Sequence, residues 1–83
     1  MTNEEIASLL KSELSLSDVK VKSEGSHFQI IAVDDRFAEM TRVKKQQLIY
    51  GPLSAQIADG TMHAITIKTF TADQWQREKL FHS

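Results

Sequence analysis

No cysteine occurs in this 83-residue chain. That absence excludes a disulfide framework and a thiol nucleophile, and any soft metal centre must take its thiolates from elsewhere. Three glycines are too few to build a phosphate-cradling loop, and no serine sits in a Gly-x-Ser-x-Gly elbow. No run approaches the roughly 18 apolar residues a membrane span requires. The acidic start Met1-Thr2-Asn3-Glu4-Glu5 lacks the basic region and apolar core of a signal peptide, so a cytoplasmic protein is expected. Excess charge of one sign is missing too: the formal net charge is −1, which argues against a dominant polyanion-binding role. Together these absences point away from an enzyme.

What is present reads as one globular domain spanning residues 1–83. Thr2 and Glu5 form a capping box, and Ile6, Leu9, Leu10 and Leu14 recur at helical spacing behind it. Ser15 to Asp18 break that pattern. Val19 and Val21 alternate with Lys20 and Lys22, the pattern of a half-buried strand. Ser23-Glu24-Gly25-Ser26 is a hairpin connection, and His27 to Val33 is apolar on both faces, as in a central strand. Asp34 and Asp35 end that strand by accepting backbone hydrogen bonds. Phe37 and Met40 are anchors in the linker that follows. Thr41 caps a helix to about Tyr50, Gly51-Pro52 breaks it, and a second helix carries Leu53 and Ile57 to a stop at Gly60. Met62 to Thr69 is the third strand, and Thr71 with Gln74 caps a last helix. The order α-β-β-α-α-β-α places helices on a three-stranded mixed sheet, an α+β, type II KH-like topology.

Chemistry concentrates in few residues. His63 opens the third strand, His27 opens the second, and His82 sits beside the C-terminus, where fraying leaves it little role. Each of the first two reads either as an ordinary polar residue at a strand edge or as a ligand. They meet if the second and third strands start at the same end of the sheet. Even then they supply half of a tetrahedral zinc site at most. Arg42, Lys44, Lys45 and Gln46 are the candidate nucleic-acid or partner interface, with Arg42, Lys45 and Gln46 on one helix face; the alternative is a solvated face. The Gly-x-x-Gly loop with which KH domains grip single strands is missing. Tyr50 and Trp75 can stack on bases or pack in the core or at its rim.

Ser26-His27-Phe28, Phe37, Arg42 through Tyr50, His63-Ala64 and Thr71 through Trp75, in that order and spacing, resemble the BolA family, in particular its bacterial IbaG-like branch. The resemblance spans the chain from about the first helix to Trp75. It implies a KH-like fold with an added C-terminal helix, and a heterodimer with a monothiol glutaredoxin. In such pairs a 2Fe-2S cluster is shared with a glutaredoxin cysteine and glutathione. It assigns His63 as a ligand, imidazole replacing thiolate on one iron. Family members often carry a second ligand in the loop between the first two strands. Here that loop holds neither cysteine nor histidine, leaving His27 as the nearest substitute. The family also includes DNA-binding transcriptional regulators acting in stress or morphology responses, which makes the Arg42–Gln47 helix a DNA-binding alternative. Without its partner the chain is expected as a monomer or weak homodimer.

Overall fold

The computed structural model describes residues 2–25, 27–60, 62 and 64–82, the last two by their backbone alone. Its elements are α1 (Asn3–Leu14), β1 (Asp18–Glu24), β2 (His27–Val33), a 3₁₀ helix (Asp35–Glu39), α2 (Arg42–Ala58), β3 (Ala64–Phe70) and α3 (Ala72–His82). The capping box forms as expected: Thr2 N–H donates to Glu5 Oε1 at 3.0 Å, and Glu5 N–H to Thr2 Oγ1 at 3.1 Å. The Thr2 N–H also holds the Glu5 carboxyl below its usual range. Helix α1 ends at Ser15, which takes the left-handed conformation with φ 53°.

The sheet order is β1-β2-β3, with β1 antiparallel and β3 parallel to the central β2. Glu24 pairs with His27, so the hairpin turn comprises positions 25 and 26 alone, shorter than the expected connection. Gly25 has φ 61°, which a tight hairpin turn demands and glycine meets without steric cost.

One face of the sheet carries the main core. Ile6 and Leu10 of α1 and Ile49 and Leu53 of α2 pack with Val19, Ile30, Ala32, Phe37 and Met62. Each large aliphatic fully buried there contributes about 1.5–3 kcal/mol. The other face holds a smaller cluster in which Trp75 of α3 covers Ile31 and Val33. Trp75 lies 5.5 Å from Phe70, ring to ring, with Lys20 Nζ 5.4 Å above it. Helices therefore flank both faces, and α3 leaves the half of its face nearest His27 uncovered: His27, Ala64, Thr66 and Lys68 are all exposed.

Two helical elements separate β2 from β3, but the break between them lies elsewhere than Gly51-Pro52. Residues 35–39 form a 3₁₀ helix, and α2 runs unbroken through Pro52. Pro52 cannot donate to the carbonyl four residues back, a defect costing about 3 kcal/mol in a helix interior. Ile49 and Leu53 flank it at helical spacing, both fully buried, so tertiary packing overrides the local break signal. Phe37 is an anchor as expected, 2 % exposed, and Met40 packs at the core margin. Asp34 accepts from the N–H groups of Ser17 and Arg36 at 3.1 and 3.0 Å, and Asp35 from Ala72 N–H at 3.0 Å. The two carboxylates thus terminate β2 and tie it to the start of β1 and to the start of α3.

Candidate functional site: a histidine-bearing sheet end and a basic groove

His27 is the first residue of β2, directly opposite Ala64, the first residue of β3. The parallel pairing puts the starts of both strands at one end of the sheet. His63 itself, and the side chain of His82, lie outside the described residues. The neighbours of position 63 in the chain are placed: Met62 is 2 % exposed with its N–H donating to the Gln56 carbonyl at 3.3 Å, and Ala64 opens the strand.

The His27 imidazole is exposed, and its Nε2 lies 2.8 Å from Thr66 Oγ1. In the tautomer where Nε2–H donates to Thr66, Nδ1 carries the lone pair that a ligand atom needs. Ligating histidines characteristically use their other ring nitrogen in such an orienting bond. Lys22, Ser23, Glu24 and Gln29 form the shallow surroundings. Among the described residues, no group of three or more His, Asp or Glu could hold a metal ion. Thr66 escaped sequence reasoning. Its only signal is the β2–β3 register, which pairs it with Gln29 and which no local pattern encodes.

The second candidate lies at the start of α2. Thr41 caps the helix, its hydroxyl accepting from Lys44 N–H at 3.2 Å. Arg42, Lys45 and Gln46 face Ile67 and Thr69 of β3 across a groove of about 220 Å³. Lys44 is exposed and does not line it. The one-face arrangement of Arg42, Lys45 and Gln46 holds, and the groove's β3 wall is what the sequence did not reveal. Tyr50 is 36 % exposed, whereas Trp75 is 6 % exposed and committed to packing, so Trp75 is no stacking platform for bases. No described helix is long and apolar enough to cross a membrane.

A mixed three-stranded sheet with this helix order, and a family model for BolA-like protein matching residues 5–74, define the class: the chain belongs to the BolA family. It is 52 % identical over 79 residues to acid stress protein IbaG of Escherichia coli K12, covering 95 % of this chain and 94 % of that one. The solved structure of a BolA protein homologue from Coxiella burnetii superposes with a TM-score of 0.75. It is 27 % identical, covering 93 % of this chain and 99 % of that one. The DNA-binding transcriptional regulator BolA of Escherichia coli K12 is 31 % identical over 51 residues, 61 % of this chain and 48 % of the regulator.

Proposed function

We propose that this protein is a cytoplasmic, non-enzymatic adaptor that receives a 2Fe-2S cluster as cargo in a heterodimer with a monothiol glutaredoxin. Family membership supports the reading. The observation that carries it is His27: exposed, oriented through Nε2 by Thr66, and paired across the sheet with the residue that follows His63 in the chain. The donor set suits the cargo. This chain offers imidazoles and no thiolate, while glutaredoxin and glutathione supply thiolates, as in mixed cysteine–histidine ligation. His63 and His27 are the residues that would hold the iron on this side, with His63 the principal ligand. Such imidazoles must be neutral to ligate, so the shared site weakens on acidification.

The test is to mix the purified protein with cluster-loaded glutaredoxin and follow the visible circular dichroism. A new spectrum is expected, lost in His63→Ala and altered in His27→Ala. An unchanged spectrum on mixing removes the proposal, and an unaltered one in His27→Ala removes that residue from the ligand set.

One observation favours a second reading, DNA binding through α2: Arg42, Lys44 and Lys45 gather in its first turn with Gln46 beside them. It predicts an affinity that falls steeply with salt and drops when Lys44 and Lys45 are both neutralised. Flat binding curves at low salt dispose of it.

A further inference from the structure

We infer that the outer edge of β3 is a strand-addition site for an extended acidic peptide segment of a partner protein. The sheet ends at β1 on one side and at β3 on the other. A terminal strand leaves the N–H and C=O of alternate residues pointing outward, and proteins usually blunt such an edge with charge, proline or a bulge. The two edges here differ in that respect. Strand β1 carries Asp18, Lys20, Lys22 and Glu24, whereas β3, Ala-Ile-Thr-Ile-Lys-Thr-Phe, carries Lys68 alone and is dominated by β-branched residues. The Phe70 carbonyl accepts from Asp34 N–H at 3.0 Å on the β2 side, and the outer edge of residues 64–69, about 20 Å of strand, has no strand beside it among the described residues.

Cations stand on both sides of that run. On the helix side, Arg42, Lys45 and Gln46 look across the groove at Ile67 and Thr69, and no acidic residue lines it. On the other side, Lys68 and Thr66 are exposed. An added strand projects alternate side chains to the two sides. Its acidic residues therefore meet Arg42 and Lys45 on one face and Lys68 on the other. Two features favour a peptide over a nucleic acid here. The edge offers donors and acceptors in a repeat that a second strand matches residue for residue. The uninterrupted α2 has no loop at Gly51-Pro52 of the kind that clamps phosphates in KH domains. The run includes Thr66, which orients His27, so the experiment uses the apoprotein and reads the β3 amides, a result that the presence or absence of cluster binding does not decide.

The experiment titrates the ¹⁵N-labelled apoprotein with an end-blocked decapeptide of Glu-Glu pairs separated by Thr-Val pairs, which puts glutamates on both faces of an extended strand. Chemical shifts and amide exchange report the outcome. The expected result is shifts centred on residues 64–69 with slowed exchange of outward-facing β3 amides. Binding is lost for the same peptide N-methylated at every residue. It weakens about tenfold when Arg42→Glu and Lys45→Glu are combined; both substitutions fall on the α2 surface, and Trp75 fluorescence verifies that the variant folds. Absence of β3 shifts at millimolar peptide overturns the proposal. So does equal binding of the N-methylated peptide, which shows that the edge is not used. Displacement of the peptide by a ten-nucleotide oligothymidine at lower concentration overturns it in favour of a single-stranded nucleic acid.

Discussion

Asp34 stands where β2 ends, and its carboxylate accepts from two residues, Ser17 and Arg36, through backbone and side chain of each. It caps the 3₁₀ helix through Arg36 N–H, accepts from Ser17 N–H ahead of β1, and pairs with Arg36 Nε at 3.1 Å. Loss of the cap costs about 1 kcal/mol, and loss of the Ser17 bond about another 1 kcal/mol. The Arg36 pair is partly solvated, with side-chain exposures of 39 % and 15 %, and adds a few tenths at most. Asp34→Ala is therefore expected to lower stability by about 2 kcal/mol, or about 8–16 °C in Tm for a domain of this size. Asp34→Asn keeps an acceptor but loses the charge, and should cost about 1 kcal/mol. The carboxyl lies below its ordinary value of 3.8, held there first by Arg36 N–H, then by the Arg36 guanidinium and Ser17 N–H. A depressed folded-state pKa contributes stability above the unfolded value and loses it as pH falls through the folded one. The gap between wild type and Asp34→Asn should thus be constant from pH 7 to about 5 and shrink below about 4. Urea unfolding followed by Trp75, the only tryptophan, measures both. An Ala variant within about 0.5 kcal/mol of wild type, or a gap that persists undiminished at pH 3, refutes the reasoning.

Ser15→Gly should stabilise the protein by about 0.5–1 kcal/mol in the same assay, because Ser15 holds a left-handed φ of 53° that glycine adopts freely. Phe37→Ala should cost about 3–5 kcal/mol, since this 3₁₀-helix side chain is 2 % exposed within the main core; a loss below 1 kcal/mol contradicts that packing. Thr66→Val removes the oxygen that orients His27 and should shift the His27 ring-nitrogen resonances while leaving the β3 amide pattern intact. The same variant should alter the optical spectrum of the glutaredoxin mixture, and a spectrum identical to wild type separates Thr66 from ligand positioning.

Local signals governed most of the elements. Thr2–Glu5 and Thr71–Gln74 announced two helix starts, and both capping bonds form, because a capping box acts within four residues. The apolar-on-both-faces run of β2 identified the central strand, since only a strand covered on two sides needs both Ile30 and Ile31 fully buried. Where a local signal met long-range packing, it lost. Gly51-Pro52 reads as a break, yet the burial of Ile49 and Leu53 outweighs one missing hydrogen bond and α2 continues. The 3₁₀ helix between β2 and α2 was legible only as two anchors, Phe37 and Met40, because its backbone geometry depends on what Phe37 packs against.

The amino-acid sequence by itself determined the family, the order of elements, the absence of thiolates and the candidate histidines, all of which reside in residue types and their spacing. Tertiary structure decided what those residues face. The parallel register of β2 and β3 brought Thr66 to His27 and Ala64 opposite it, joining residues 39 positions apart in the first case. The crossover through α2 set Arg42, Lys45 and Gln46 across a groove from Ile67 and Thr69. Docking of Trp75 on Ile31 and Val33 sent α3 to the opposite side of the sheet and left the His27 end open. Periodicity states which residues share a face of one element. Which faces meet is set by the burial of apolar surface across the whole chain, and that is a property of the folded molecule.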